Sequence, residues 1–334
     1  NCIVKSSHRF HRLTIAVLLV FSIAALALSL LVGSVAIVWN DLISFFRSGT
    51  VSMTTMVVLE LRLPRAFSAF VVGSSLAVAG VMMQVLLRNP LADPYVLGVS
   101  GGSAAFALIV MLLGLPFSVV PIAATIGAGF SIMLLILLAR ASGDWGSSRL
   151  LLTGIVLAAG WGALIGFFLS LGEANQIQGM LFWLMGDLRP EWPGFIRVLV
   201  LLAVLIAGFI VARDLDLLLE GDLRARSLGL NTSALRLIIL LAASLLTAAS
   251  VTLAGPVGFI GLVVPHMMRL IIGSRHRLLI PVSALAGGTL LVIAEMIART
   301  VIAPQQLPVG VITSFIGVPV FLYLLRRRGL SIPS

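Results

Sequence analysis

Long apolar runs, separated by short polar segments, dominate the chain. The first run extends from Leu13 to Val38 and the second from Ala66 to Leu87, and the loop between them carries Trp39, Asp41 and Arg47. A run of about twenty apolar residues is long enough to cross the hydrocarbon core of a bilayer as an α-helix. Strands of a membrane barrel would alternate apolar and polar residues, which these runs do not do, so the pattern predicts membrane-spanning helices.

Clusters of Lys and Arg lie between the apolar runs and predict the topology. They occur at Lys5 to Arg12, Arg88, Arg140 with Arg149, Arg213 to Arg236, Arg269 to Arg277, and Arg326 to Arg328. Cytoplasmic loops of membrane proteins carry an excess of such residues, so we place all these clusters inside. Each stretch between clusters must then cross the membrane an even number of times, and each has room for two crossings. The sequence therefore predicts an all-α integral membrane protein with about ten transmembrane helices, both termini in the cytoplasm, Trp145 inside and Asp187 outside.

Two long apolar tracts need a break if each is to cross twice. Tyr95 to Leu138 is too long for one helix, and Gly114 with Pro116 predicts a tight outer turn within it. Leu237 to Met268 would suit one tilted helix, but an even number of crossings requires two, with a break at Gly255-Pro256. The other predicted crossings are Leu150 to Leu171 and Phe195 to Ala212, around a polar loop with Glu173, Asp187 and Glu191, and then Leu278 to Ala303 and Val309 to Leu325. No linker separates a second domain, so residues 1–334 are expected to form a single transmembrane domain.

The composition supports this class. Apolar residues make up 60% of the chain and charged residues 10%, which excludes a soluble globule and a disordered chain. The net charge of +10 is spread over short loops rather than gathered on one surface, so topology accounts for it better than nucleic-acid binding. Cys2 is the single cysteine and permits no intrachain disulfide. The first apolar run is too long for the core of a cleavable signal peptide, and we expect it to stay as an anchor.

An ordered set of motifs covers nearly the whole chain after the first apolar run. It consists of Leu61-Arg62-Leu63-Pro64-Arg65, Gly80, Gln84, Arg88-Asn89-Pro90-Leu91-Ala92, Pro94, Leu97-Gly98, Trp183, Gly186, Gly255-Pro256, Gly258-Phe259, Gly261-Leu262, Pro265-His266, Arg269, Leu307-Pro308-Val309-Gly310 and Gly317-Val318-Pro319. In these motifs the chain resembles the permease subunits of FecCD/BtuC-type bacterial ABC importers, which take up ferric siderophores, haem or cobalamin.

The resemblance implies a fold, a location and a set of partners. The fold is that of a type II ABC importer permease, with many passes through the bacterial inner membrane. The implied partners are a second copy of the chain, a cytoplasmic dimer of ATP-binding subunits and a periplasmic substrate-binding protein, with membrane lipid around them. ATP and magnesium would bind to the ATPase partner, and indeed no G-x-x-x-x-G-K-[ST] phosphate loop occurs here. The chain is therefore expected to be a transport subunit and not an enzyme, with no cofactor, metal or nucleic acid of its own.

Three arginines, Arg62, Arg65 and Arg299, come out on the outer side of the predicted topology. One interpretation is that they anchor the protein in lipid headgroups. The other is that they form a docking surface for carboxylates of an extracytoplasmic binding protein, where charge steers the encounter and fixes the register. The resemblance favours docking. Glu295 lies one helical turn before Arg299 and is positioned to pair with it, which is an alternative role for Arg299 alone.

Two short cytoplasmic turns contain Asn89 with Leu91, and Ser147 with Ser148. By residue type alone, Asn89-Pro90 is a turn former and the serines cap the next helix. The resemblance implies that these two turns form the cytoplasmic gate of the pathway. Small side chains there would suit a gate that opens widely without binding its cargo tightly.

Residues 213–236 form the most charged tract of the chain. Gly221 and Gly229 bracket a short amphipathic helix, which is too small to be stable alone and is therefore expected to dock on another surface. A solvated loop is the alternative. The resemblance implies a coupling helix seated in the ATPase subunit. The residues expected to make the contact are Arg224, Arg226, Leu228 and Gly229.

Two other functions are weaker interpretations of the same sequence. Gly98-Val99-Ser100-Gly101 matches the G-x-S-G of intramembrane serine proteases, and His266 is the candidate for the base that such a serine needs. A proton-coupled carrier needs a relay of ionisable residues within the membrane, and Glu295 is the one candidate. The cargo is not selected by the sequence, because the Met82-Met83 and Met267-Met268 pairs are more typical of packing than of haem ligation.

Overall fold

The computed structural model describes residues 2–33, 44–45, 47–48, 51–140 and 147–328, and in this part of the chain every regular element is a helix. Trp39, Asp41 and Trp145 lie outside the described residues. The α-helices are α1 Cys2–Leu31, α2 Met53–Leu86, α3 Val99–Leu112, α4 Val120–Arg140, α5 Ser147–Leu171, α6 Ala174–Leu184, α7 Phe195–Ile210, α8 Ala212–Leu219, α9 Asp222–Ser227, α10 Thr232–Ala254, α11 Ile260–Ile272, α12 His276–Thr300 and α13 Val309–Arg328. The 3₁₀ turns Pro94–Leu97 and Phe117–Val119 precede α3 and α4, and Val57–Arg62 within α2 is π-helical.

Ten hydrophobic segments can be counted among the described helices. Six of them, α1, α2, α4, α5, α10 and α12, are individually long and apolar enough to cross a membrane. The pair α7 and α8 passes the same test as one unit but is bent by 64°, and α3, α11 and α13 are shorter apolar helices. These ten segments agree with the number of crossings predicted from the basic clusters.

Helix α2 forms the centre of the molecule. In its apolar stretch 94% of the residues are buried within the protein, against 17% in each of α1 and α5. Small residues let its neighbours approach closely: a Cβ on Gly80 would lie 1.9 Å from the carbonyl oxygen of Gly261 in α11, and one on Gly73 would lie 2.3 Å from that of Gly287 in α12. Close packing of backbones at small residues is a main source of helix association in membranes.

The start of α2 differs from the sequence prediction. The apolar run was expected to begin at Ala66, with Arg62 and Arg65 at its mouth, but the helix begins at Met53 and both arginines lie inside it. The charged residues Glu60, Arg62 and Arg65 interrupt the apolar pattern, which is why the helix predicted from that pattern begins too late. Arg62 is 3% exposed, so its partners must come from elsewhere in the fold.

Helices α3 and α11 are too short to cross a bilayer unaided. They have 14 and 13 residues, and at about 1.5 Å per residue neither covers a hydrocarbon core of about 30 Å. The 3₁₀ turn Pro94–Leu97 leads into α3 and a non-helical segment leads into α11, and the two meet where the Tyr95 hydroxyl donates to the Val257 carbonyl at 3.0 Å and accepts from the Val257 N–H at 2.9 Å. Irregular backbone is tolerated within a membrane protein when it is buried in this way.

The predicted breaks at Gly114 and at Gly255-Pro256 are both present. Gly114 and Gly255 have positive φ angles of 65° and 64°, which suit glycine. The second break is longer than expected, because α11 begins only at Ile260, after Phe259 with a φ of 70°. The sequence also missed α6, which lies in the loop predicted to be polar and begins with a capping box of Glu173 and Gln176.

Candidate functional site

A buried group of charges lies where α2 and α12 meet. We call it the outer cluster, and it consists of Arg62, Arg65, Glu295 and Arg299. Glu295 lies between two arginines: its Oε1 is 3.7 Å from Arg65 Nε, and its Oε2 is 3.5 Å from Arg299 Nη2. Glu295 is 3% exposed and Arg299 7%. The pairing of Glu295 with Arg299, considered from their spacing, is therefore present.

Two arginines of the outer cluster bind the end of α1. Arg62 Nη1 donates to the carbonyl oxygens of Leu30 at 2.8 Å and Leu31 at 3.1 Å, and Arg299 Nη2 donates to that of Ser29 at 2.8 Å. The last carbonyls of a helix have no partner within the helix, and cations are favoured beside them. Sequence reasoning missed this role, because these acceptors are distant in the chain and no motif marks them.

A cavity of about 290 Å³ opens beside the three arginines, with Gln306 in its wall. Arg65 Nη1 donates to Gln306 Oε1 at 2.9 Å, and the Arg65 side chain, at 14% exposure, is less buried than those of Arg62 and Arg299. Asp187 borders the same group beside Arg65, Glu295 and Arg299, so among these described residues three arginines face two carboxylates and an excess of positive charge remains. Snorkelling to lipid headgroups does not suit the two interior arginines, and docking of a partner's carboxylates stays a prediction for all three.

A larger apolar cavity of about 690 Å³ lies against α13 and the segments that lead into α3 and α11. Its wall includes Tyr95, Pro256, Gly310, Ser314 and Phe315. The backbone break predicted at Gly255-Pro256 therefore borders a cavity, as irregular backbone in a membrane requires. Phe315 is 74% exposed, so this wall of the single chain is open to one side.

The turn after α2 is stabilised by its own asparagine. Asn89 Oδ1 accepts the N–H of Leu91 at 2.9 Å, and the Asn89 carbonyl accepts that of Ala92 at 3.1 Å. This agrees with the prediction that Asn89-Pro90 forms a turn. Ser147 and Ser148 begin α5, as expected for the second turn; Ser148 is exposed, and the side chain of Ser147 lies outside the described part. The gating role of these residues stays a prediction.

Asp93 follows this turn and caps the 3₁₀ segment that leads to α3. Its Oδ1 accepts the Tyr95 N–H at 2.8 Å. Burial raises the pKa of Asp93 to about 6, although this hydrogen bond opposes the rise. The carboxylate therefore titrates close to physiological pH, next to the predicted gate.

The charged tract folds into the short helices α8 and α9. Gly221 and Gly229 bracket α9 as predicted, with positive φ angles of 116° and 84°. Leu228 is 61% exposed, and Leu223, which the sequence did not single out, is 88% exposed. Two apolar side chains held in solvent on so short a helix favour a docking surface over a solvated loop.

The predicted contact residues differ in their own partners. Arg224 forms an exposed pair with Glu220, at 2.9 Å between Nε and Oε2. Arg226 Nε donates to Thr232 Oγ1 at 3.1 Å, which ties α9 to the first turn of α10. Arg224 is therefore the more accessible of the two predicted arginines, and contact with a partner stays a prediction for both.

A second group of charges lies where α2, α9 and α10 meet. We call it the inner cluster, and it consists of Arg88, Asp222 and Arg236. Arg236 Nη2 lies 2.8 Å from Asp222 Oδ2 and 2.9 Å from Oδ1, while Arg88 Nη2 donates to the same Oδ1. Arg88 Nε also donates to the Leu218 carbonyl, at 3.2 Å, at the end of α8. Sequence reasoning placed none of these three residues in a functional site.

Comparisons with known proteins agree with the fold and the motifs. The model of the FecCD transport family matches residues 18–327. The Fe(3+) dicitrate transport system permease protein FecD of Escherichia coli strain K12 is 41% identical over 318 residues, which cover 93% of this chain and 98% of that protein. The vitamin B12 import system permease protein BtuC of Vibrio cholerae serotype O1 is 41% identical over 282 residues, which cover 83% of this chain and 85% of that protein.

A solved structure also has the same fold. It is described as an inward-facing conformation of a metal-chelate type ABC transporter, and it superposes with a TM-score of 0.82 at 24% identity. The match covers 95% of this chain and 99% of the other. The helical order, with its short and broken segments, is thus that of an ABC importer permease.

Proposed function

Since the chain belongs to the FecCD transport family, we propose that it carries a metal chelate across the bacterial inner membrane in an ATP-driven importer. The observation that supports this most strongly is the match of the family model to residues 18–327, which include both charged clusters and the apolar cavity. The chain is a multi-pass membrane permease and not an enzyme. ATP hydrolysis is the task of a separate subunit, which would hold ATP and magnesium.

The alternative functions are not favoured. Ser100, the candidate nucleophile of a protease, is 7% exposed at the start of α3, and the family consists of transport permeases. Glu295, the candidate proton carrier, is held between Arg65 and Arg299. The groups paired with Glu295 are arginines, which do not accept a proton from it, so this pair does not form a proton relay.

The proposed cargo is a ferric siderophore, haem or cobalamin. Two relatives that are equally similar to this chain are named for iron dicitrate and for vitamin B12, so identity does not select among the classes. The large cavity is lined mostly by apolar side chains and has Ser314 among its few polar ones, which suits passage better than tight binding. Selection is therefore assigned to the periplasmic binding protein.

Each proposed partner has a matching surface. A second copy of the chain would cover α5, whose Gly160, Gly162 and Gly166 face open space, and the exposed Phe315 on α13. The ATP-binding dimer would receive α9 through Arg224, Arg226, Leu228, Gly229 and, in addition, Leu223. The binding protein would place carboxylates at the outer cluster. Asn89, Leu91, Ser147 and Ser148 would form the cytoplasmic gate.

Reconstitution tests this proposal. The chain would be assembled with its ATPase in liposomes, and uptake of a ferric siderophore, haem and cobalamin would be measured with the cognate binding protein. We expect ATP-dependent uptake of one class, which stops when either the ATP or the binding protein is omitted. Uptake that follows a pH gradient without ATP would support the proton-coupled carrier instead and would contradict the proposal.

A further inference from the structure

Arg88 occupies a backbone position that normally favours glycine. The N–H of Asn89 bonds to the Gln84 carbonyl and the N–H of Arg88 to that of Val85, both at 3.2 Å, which is the pattern that closes a helix with a left-handed residue. Arg88 is that residue, with a φ of 49°. A non-glycine side chain at such a position is unfavourable, so its presence points to a task for the side chain.

The Arg88 side chain reaches across to the proposed coupling segment. It donates to the Leu218 carbonyl at the end of α8 and to the carboxylate of Asp222, the first residue of α9. Arg236 holds the same carboxylate from α10 and is 5% exposed. One carboxylate thus joins the end of α2 to the start of α9 and to α10.

Helix α9 has few other attachments to the body of the protein. Ala225 is its one fully buried residue, and Arg226 is tied to Thr232 near the start of α10. Leu223 and Leu228 are largely exposed. Displacement of this helix by a bound partner would therefore move Asp222 first and then Arg88.

Arg88 is followed directly by the turn that contains Asn89 and Leu91. This turn is held by two internal hydrogen bonds, from Leu91 and Ala92 to Asn89, so it moves as a unit with Arg88. The predicted gate is therefore connected to α9 through the Asp222 carboxylate, the Arg88 side chain and the turn at Asn89.

We propose that the inner cluster is the link through which movement of α9 is passed to the end of α2 and to the gate turn. Arg88, Asp222 and Arg236 are positioning residues in this account, since they touch neither cargo nor nucleotide. The inference rests on the proposed function, because a partner ATPase must supply the movement.

Two variants break the link in different ways. Asp222→Asn keeps the shape of the side chain but removes its charge. Arg88→Gly removes the side chain while placing the favoured residue at the left-handed position, so the fold should melt no lower than the parent. Asp214→Asn, in α8, is the matched control for the same chemical change in the same segment.

The measurement is cargo imported per ATP hydrolysed in liposomes, with the ATPase shown to co-purify. We expect at least a tenfold drop for Asp222→Asn and Arg88→Gly, and an unchanged ratio for Asp214→Asn. In a Cys2→Ser background, Leu91→Cys should change its reaction with an impermeant thiol reagent when ATP is added, and Arg88→Gly should abolish that change.

The outcomes separate this inference from the proposed function. If the parent protein does not import any chelate with ATP, the proposed function fails first. If the parent imports but both variants keep its ratio and its ATP-dependent change at Leu91, the link is wrong. Failure of Arg88→Gly to accumulate in the membrane would also overturn it, because the cluster would then be needed for folding.

Discussion

The outer and inner clusters are built from the same parts but differ in what holds them. In each, arginines from α2 and a second helix share one carboxylate. Glu295 of the outer cluster has a side chain that is 4% exposed, whereas the side chain of Asp222 in the inner cluster is 33% exposed. The outer arginines also bind the last carbonyls of α1, while the inner Arg88 binds a carbonyl at the end of the short helix α8.

This difference indicates different tasks for the two ends of α2. A buried charge that loses its partner is costly, so the outer cluster fixes α1, α2 and α12 relative to one another. The side chains of Arg88 and Asp222 are 30% and 33% exposed, so this contact of the inner cluster can separate and be solvated at little cost and is suited to movement, although Arg236 is itself buried. We infer that α2 is held firmly at its outer end and displaced at its inner end.

The largest contrast is expected from neutralising the shared carboxylates. Glu295→Gln removes the carboxylate paired with Arg65 and Arg299, and breaking such a buried group costs about 3–5 kcal/mol of folding free energy. Asp222→Asn should cost less, about 2 kcal/mol, because Asp222 and Arg88 are partly solvated even though Arg236 is buried. Thermal unfolding in detergent measures both. The contrast would be wrong if the two variants lost similar stability.

A smaller effect is expected from removing one arginine at each end. Arg62→Met should cost about 2 kcal/mol, because the carbonyls of Leu30 and Leu31 lose a charged donor. Arg224→Met is the control on the inner side: its side chain is 69% exposed, so stability should be nearly unchanged. Equal melting temperatures for the two variants would show that the end of α1 does not depend on Arg62.

A smaller change in free energy is expected when Arg65 is altered and the affinity of the binding protein is measured. Arg65→Lys keeps the charge but loses the planar fork that grips a carboxylate, so affinity should fall by roughly fivefold, or about 1 kcal/mol. Arg65→Glu should weaken binding further, and raised salt should weaken the parent complex. Titration calorimetry with the binding protein measures each. If the affinity changes neither with Arg65→Glu nor with the salt concentration, Arg65 is a purely structural residue and the prediction is wrong.

A pH-dependent effect is expected at Asp93, which accepts a backbone N–H rather than pairing with an arginine. Its folded pKa of about 6 lies above the ordinary value of 3.8, so the folded state binds this proton more tightly than the unfolded state does. This contribution to stability is present below pH 4 and is lost as the pH rises through 6. Asp93→Asn keeps the acceptor oxygen and cannot ionise, so it should melt roughly 2–4 °C higher than the parent at pH 7. At pH 4 the two should melt together, and a constant difference across pH would contradict the assignment.

The sequence predicted the features that depend on local pattern. Apolar runs and basic clusters gave ten segments, and Gly114 and Gly255 marked the breaks, because hydrophobicity and φ preference are properties of neighbouring residues. Gly221 and Gly229 bounded α9 for the same reason.

The sequence did not predict features that depend on distant partners. The charges of Arg62 and Arg65 made the predicted start of α2 too late, since the acceptors that allow their burial, on α1 and α12, are far away in the chain. Arg88 and Asp222 are separated by 134 residues, and no spacing rule brings them together. Leu223 was one apolar residue in a charged tract, and only the fold places it in solvent.

Hydrogen–deuterium exchange in the assembled transporter tests the difference between the two ends of α2 most directly. Peptides that contain the end of α1, near Ser29, and peptides that contain α9 would be followed with and without a non-hydrolysable ATP analogue. We predict that exchange in α9 and in the turn after Arg88 changes when the nucleotide binds, while exchange at the end of α1 does not. Nucleotide-dependent exchange at the end of α1, with none at α9, would contradict the account.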